Sequence, residues 1–289
     1  MDVRKISDPG DFLERAAPLL LEDEARHNLI LGIAGTLRDH RTVYPEHRLW
    51  AVEGGGEVIA AALQTPPFNV VVAARPLDDE ALVALAAQIA EDEDELPGVT
   101  AAVPEADVFA DAWEARSRQS RRIRMTHRIY RLTDVRHPSG VPGRPREASE
   151  ADRDLLVTWI REFADEALSE NDPPAAGTER MVDARLQGAG GFMLWEDGEE
   201  PVSLAGWGGR TPNGVRIGPV YTPPDRRRRG YGSAVTAAAS AARLAEGRRF
   251  CFLYTDLANP TSNRIYMDVG YEPVCDSVDY AFEPTSSRP

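Results

Sequence analysis

One order of elements recurs along this chain, and it constrains the fold more than any composition figure. The order is helix, helix, strand, strand, strand, helix, strand, helix, strand. In the N-terminal half, helices are expected near Asp11–Leu21 and Ala25–Arg38, followed by strands in "HRLWAVEGGGEVIAAALQT" and "FNVVVAA". A helix through "DDEALVALAAQIAEDED", a strand "GVTAAVP", a helix "EADVFADAWEARS" and a strand "IRMTHRIYRL" complete it. The C-terminal half repeats the script. Leu155, Leu156, Trp159, Ile160 and Phe163 recur at helical spacing behind a Ser149/Asp152 start signal. "GTERMVDARLQG" reads as a short helix, with Thr178 as cap and Gly188 as stop. Strands in "GFMLWEDGEEPVSLAGWGG" (turning at Asp197-Gly198) and "GVRIGPVYTPP" follow, then the alanine-rich helix "GSAVTAAASAARLAEGRR". "FCFLYTDL" is a buried strand, "NPTSNRIYMDVG" a short helix and "YEPVCDSVDYAFE" the last strand or two. Strands alternating with helices indicate an α/β layer structure. The stretch Thr133 to Arg153, with three prolines and two glycines, reads as a linker.

Composition narrows the function classes. The formal net charge is −14 over 289 residues. A phosphate backbone needs a basic footprint, so a general nucleic-acid binder is not expected, nor adhesion to an anionic membrane. Two cysteines, Cys251 and Cys275, make no disulfide framework, and five scattered histidines form no metal-ligand pair, so no metal is expected. The N-terminus lacks a basic segment followed by an apolar one, and no apolar run is long enough to span a bilayer, so a cytoplasmic location is expected. The acidic run Glu91 to Glu95 reads as the solvated end of a helix.

Against this acidic background stands "DRRRRGYGSA", Asp225 to Ala234. A strand runs in, two prolines end it, glycines turn the chain, and a helix runs out. Such a helix start gathers unpaired N–H groups and the positive end of the helix dipole. Gly230 and Gly232 let backbone approach a ligand without Cβ clashes, and the arginines add charge-assisted hydrogen bonds. The spacing is neither a Walker A loop nor a G-x-G-x-x-G fingerprint. By itself the loop fits phosphate binding and ordinary helix capping equally.

The segment "VRIGPVYTPPDRRRRGYGSAVTAAAS", followed by "FLYTDLANPTSNRIYMDVGYEPV", resembles the GNAT superfamily of N-acetyltransferases. Arg227, Gly230 and Gly232 match the family's [RQ]-x-x-G-x-[GA] signature, and Asn259, Asn263, Tyr266 and Gly270-Tyr271 match its second hallmark. The resemblance is strong over about Arg146 to Glu283. The N-terminal half shares only the element order. It implies an α/β (α+β) chain of two GNAT-like domains, each with a mixed, mostly antiparallel sheet flanked by helices on both faces. The expected division is 1–135, a degenerate first copy, a linker 136–148, and a catalytic domain 149–289.

The resemblance further implies acetyl-CoA as co-substrate and direct attack by an amine in a ternary complex. Arg228, Arg229, Gly230, Tyr231, Gly232 and Ser233 are expected along the pyrophosphate, and Arg227 among the cofactor-binding residues, with Arg226 and Arg227 either solvated or paired with the 3′-phosphate on the adenosine side. Val220, Tyr221 and Thr222 are expected along the pantetheine arm, which an open strand edge can accept. Asn259, Ser262 and Asn263 are expected on the other wall. Tyr266 takes the place of a general acid for the thiolate, and a backbone N–H near Val220 that of an oxyanion donor. The strand "VRIGPVYT" lacks the carboxylate many relatives carry there, so the base is open between solvent, Glu162, Asp165 and Glu166. The acceptor is expected to be a small-molecule or peptide amine, the protein a monomer or homodimer. Two alternatives stand beside this reading: an acyltransferase with another donor, such as a longer acyl-CoA or a charged tRNA, and a non-catalytic acyl-CoA-binding regulator.

Overall fold

The computed structural model describes residues 1–76, 78–167 and 177–285. Its elements run β1 (Asp2–Ile6), α1 (Pro9–Glu22), α2 (Asn28–Asp39), β2 (Arg48–Gly54), β3 (Glu57–Gln64), β4 (Val70–Ala74), α3 (Asp79–Asp92), β5 (Gly98–Ala102), α4 (Glu105–Glu114) and β6 (Gln119–Leu132). They continue with β7 (Arg144–Glu147), α5 (Arg153–Ala167), α6 (Thr178–Ala184), β8 (Gly190–Asp197), β9 (Glu200–Gly208), β10 (Gly214–Tyr221), α7 (Tyr231–Ala245), β11 (Phe250–Asp256), α8 (Pro260–Val269) and β12 (Glu272–Pro284). The chain forms two compact units. One holds Met1–Ile129, Thr255–Ala258 and the chain from Pro273 onward; the other holds Tyr130–Tyr254 and Asn259–Glu272.

In the first unit the strand order is β1-β2-β3-β4-β5-β12. Every pairing is antiparallel except β4 with β5. Helices cover both faces because strand residues alternate between two buried clusters. Trp50, Val52, Ala60 and Ala62 pack with Leu82, Leu85 and Ile89 of α3 and Phe109 and Trp113 of α4. Leu49, Ala51, Ala61 and Leu63 pack with Phe12, Leu19 and Leu20 of α1 and Ile30, Leu31 and Leu37 of α2. Asp8 starts α1 by accepting the N–H groups of Gly10 and Asp11 at 2.8 and 3.1 Å. The preceding strand β1 was not expected. Two residues of the acidic run are held rather than solvated. Asp92 accepts Trp50 Nε1 at 2.9 Å and pairs with Lys5 at 3.2 Å, while Glu93 pairs with Arg48 at 2.8 Å.

The second unit has the order β7-β8-β9-β10-β11, antiparallel until β10 meets β11 in parallel. One face carries α5 and α6, with Leu156, Ile160 and Val182 packed on Phe192, Leu194, Leu204 and Tyr221. The opposite face packs Val215 and Ile217 against Val235, Ala237 and Ala239 of α7. The Ser149–Asp152 capping box forms as expected, with Asp152 accepting Ser149 N–H at 2.8 Å. Thr178 is the first helical residue rather than the cap, which is Gly177 with φ +92°.

Two segments depart from a division at 135 and 149. Within the stretch expected as linker, Arg144–Glu147 forms the edge strand β7 by pairing with Met193–Glu196. At the other end, β12 leaves the half of the sequence it belongs to. Ser277–Ala281 pair with Ala102–Gly98 of β5, and Val278, Tyr280 and Phe282 fill the first unit's core. Conversely, Tyr130 and Leu132, at the end of β6, fill the second unit's core. An apolar strand reads the same whichever sheet takes it up, so spacing along the chain could not reveal this exchange.

Candidate functional site

The site begins where two parallel strands part. β10 and β11 pair through Gly214↔Phe250, Val215↔Cys251 and Arg216↔Phe252. Beyond Arg216, β10 pairs only with β9, through Ile217↔Trp207, Val220↔Ala205 and Tyr221↔Leu204. The register shifts between Ile217 and Val220. Gly218 and Pro219 stand opposite the single residue Gly206, a bulge of one extra residue, and Pro219 has no N–H to give the ladder. The segment Ile217–Tyr221 therefore has one paired edge and one edge without a strand among the described residues. Its far end is fixed by Ser203, whose buried hydroxyl donates to Tyr221 O at 3.0 Å and lies 2.8 Å from Thr222 Oγ1.

The loop after β10 turns on two left-handed residues, Arg228 (φ +64°) and Gly230 (φ +84°). Arg228 is the single non-glycine with positive φ among the described residues. Such a conformation costs an L-residue about 1–2 kcal/mol, and residues held this way cluster at ligand clamps. Helix α7 follows directly. Its first internal bond is Ala234 N–H to Gly230 O at 3.0 Å, and no side chain caps it. The N–H groups of Tyr231, Gly232 and Ser233 thus have no acceptor within the helix. A Cβ on Gly232 would lie 3.5 Å from Thr222 Oγ1, and one on Gly230 would lie 2.8 Å from Val141 Cγ2.

The four arginines divide into pairs. Arg226 lies 2.9 Å from Glu200 and 3.2 Å from Asp225. Arg227 donates to Thr222 O at 2.8 Å and to Glu166 at 2.7 Å, with its guanidinium over the Tyr221 ring. Arg228 and Arg229 are exposed and join no ion pair among the described residues. Tyr231 is buried, and its hydroxyl donates to Asp197.

On the other wall, Asn259 caps α8 by accepting Ser262 N–H at 3.0 Å. Asn263 donates to Asn259 O at 2.8 Å and accepts from Tyr130 O–H at 2.9 Å. Tyr266 is half-buried and packs, as Val220 does, against the second unit's core, edge-on to Tyr271 at 6.1 Å. Burial pushes its phenol up to about 12. Of the three carboxylates on α5 considered as a base, Glu166 is engaged by Arg227 and Glu162 stands near enough to the Tyr221 phenol to act on its proton. Burial first, and Glu162 second, push that phenol up to about 12. Asp165 is exposed.

The FR47-like protein family matches residues 195–278, the stretch that contains β9, β10, the arginine loop, α7 and α8. No curated protein sequence matches the chain. A tandem GNAT protein from the clavulanic acid biosynthesis pathway, solved without AcCoA, superposes with a TM-score of 0.60 at 15% identity, covering 100% of both chains. The chain has the GNAT fold. A GCN5-related N-acetyltransferase from Sphaerobacter thermophilus shares that fold at a TM-score of 0.62 and 16% identity, covering 100% of this chain and 96% of its own. A GNAT-family acetyltransferase from Colwellia psychrerythraea does so at 0.60 and 11%, covering 98% and 100%. The tandem relative spans both units, so the GNAT fold accounts for the recurring order of elements.

Within the GNAT fold, the structure brings together the open edge of β10, the uncapped start of α7 and the half-buried Tyr266. It gives Arg226, Arg227, Asn259, Asn263 and the Tyr231 side chain partners inside the protein. Sequence reading missed Glu166 as Arg227's partner and Asp197 as Tyr231's. It also missed Tyr130, which holds Asn263 from a strand outside the matched motifs. No sequence spacing links these residues. Among the described residues no helix is long and apolar enough to cross a membrane, and no cluster of His, Cys, Asp and Glu could hold a metal ion.

Proposed function

We propose that the second unit is an acetyl-CoA-dependent N-acetyltransferase acting on a primary amine by direct attack in a ternary complex. One observation carries this reading: the uncapped N–H groups at α7 stand at the end of a strand whose other edge is open. A diphosphate on a pantetheine arm fits both features. The amide hydrogens of Tyr231, Gly232 and Ser233 meet the diphosphate at the helix start, where Gly232 leaves room. Arg228 and Arg229 add charge that no ion pair among the described residues takes up. Val220 to Thr222 offer backbone groups to the amide-rich arm in the manner of an added strand.

Bound there, acetyl-CoA supplies a thioester carbonyl open to an amine. The backbone N–H at Val220 would donate to the oxyanion as charge develops. Tyr266, held protonated by burial, is suited to give its proton to the thiolate. Glu166, tied up by Arg227, is a poor base. Glu162 and Asp165 remain, with solvent, to take the amine's proton. The first unit we read as a copy without this chemistry. Its corresponding helix, α3, starts with Asp78, Asp79 and Glu80, whose charges repel phosphate.

The test is calorimetry with coenzyme A, paired with thiol release from acetyl-CoA over a broad amine panel. Binding in the micromolar range with amine-dependent thiol release is the expected result. Tight binding without turnover supports the regulator instead, a reading favoured by the missing carboxylate on β10. No binding sinks both.

A further inference from the structure

Arg216 is the last residue of β10 paired to β11, so its side chain stands at the fork where the strands separate. Its neighbours Val215 and Ile217 face α7, which turns Arg216 to the face carrying α5 and α6. The guanidinium is half-buried, and its Nη1 is buried without a hydrogen-bond partner. Among the described residues Arg216 makes no ion pair either, although most other arginines of this acidic chain have one. A buried donor on a charged group loses its hydration without replacement, so it demands an explanation.

Its surroundings are built to admit something. Gly208, opposite Arg216 on β9, and Gly209 beyond it present no side chain. A Cβ on Gly209 would lie 3.0 Å from Arg216 Nη2. A second guanidinium shares this bare floor. Arg185 reaches in from the turn after α6, donates to Gly218 O at 2.9 Å and lies over the Phe192 ring. A Cβ on Gly206 would lie 2.3 Å from Arg185 Nη1, so the glycines of β9 make room for both cations.

We infer that Arg216 receives a carboxylate carried by the acceptor amine, so that the acceptor class is amino acids. The planar fork of a guanidinium matches a carboxylate bidentately. Its place at the head of the open edge sets the acceptor beside the acyl group. This rests on the acyl-transfer reading above.

The test compares acetyl-CoA turnover with the twenty proteinogenic L-amino acids and with their carboxamides, on the full chain. At least one acid is expected to exceed its amide tenfold or more in kcat/KM. Arg216→Gln should remove that preference by raising KM for the acid, with coenzyme A affinity unchanged by calorimetry, and Arg216→Lys should restore part of it. Amides used as well as acids, an unchanged KM in Arg216→Gln, or no acid turned over by a protein that binds coenzyme A, overturns the inference. Absent coenzyme A binding overturns the acyl-transfer reading itself, and the inference with it.

Discussion

Arg227 is bound to Glu166 through a single nitrogen, Nη2, which lies 2.7 Å from each carboxylate oxygen. This pair explains why a run of four arginines need not act as one patch. Its first half pairs with carboxylates, and its second half joins no ion pair among the described residues.

Arg228→Ala and Arg229→Ala are each expected to weaken coenzyme A binding by roughly tenfold, the order of a partly solvated charge-assisted hydrogen bond. Arg226→Ala should weaken it less than threefold, because Arg226 already pairs with Glu200 and Asp225. Calorimetry at low and high salt checks this. The slope with salt should shrink in the first two variants only.

Glycine at 232 is expected to serve the ligand rather than the fold. Its Cβ would make ordinary contact with Thr222, so Gly232→Ala and Gly232→Val should fold. Both should lower coenzyme A affinity, the valine at least tenfold, by standing between the helix start and a phosphate. Gly230 differs, since its φ of +84° strains any L-residue. Gly230→Ala should cost about 1–2 kcal/mol of stability. Thermal melts beside binding isotherms separate the two effects.

Tyr266→Phe is expected to lower kcat on the order of a hundredfold, the usual contribution of a placed general acid, with coenzyme A affinity within threefold. The Tyr266 phenol is pushed up to about 12, so it stays protonated throughout the working range. The rate should therefore rise with pH as the acceptor amine loses its proton, with no alkaline decline from Tyr266. A pH–rate profile of both proteins reads this directly.

Stability should respond to pH at both ends. Arg146 donates to both Asp152 oxygens at 2.7 Å, and this holds the Asp152 carboxyl down at about 2. A depressed carboxyl stabilises above its unfolded value near 4, and that contribution is lost as pH falls through about 2. Asp152→Asn should thus cost about 1–2 kcal/mol at pH 7 and little at pH 2. At the alkaline end, Tyr221 and Tyr266 are raised to about 12, mainly by burial. Their contribution is complete below pH 10 and lost as pH climbs through 12. Chemical denaturation across the range tests both limbs.

Truncation should fail. A chain beginning at residue 136 lacks Tyr130 and Leu132 from the second unit's core, and leaves Val278, Tyr280 and Phe282 without theirs. It is expected to be insoluble. A soluble, active fragment 136–289 overturns the exchange of strands.

The uneven legibility of this chain has physical causes. The loop from Tyr221 to Ser233 could be read because its chemistry is local: prolines end a strand, glycines turn the chain, and a helix begins within a dozen residues. The open edge of β10 could not be read from spacing, since it depends on Arg216↔Phe252 being the last parallel pair. Arg216 looked like an ordinary strand residue, because its missing partner is visible only once its neighbours are placed. Arg185 was hidden inside a short helix, and only the glycines of β9 disclose what it rests on. Asn259 and Asn263 were matched to a motif, and their hydrogen bonds show them bracing α8 as well.

The placement of β12 sets an order on folding. The first unit's sheet takes its strand beside β5 from Ser277–Ala281. The stretch up to Leu132 lacks that strand, so the flank of β5 stays bare until a contact forms across the whole of the second unit's sequence. Closing so long a loop is slow, so this sheet is completed late although most of its strands come early in the sequence.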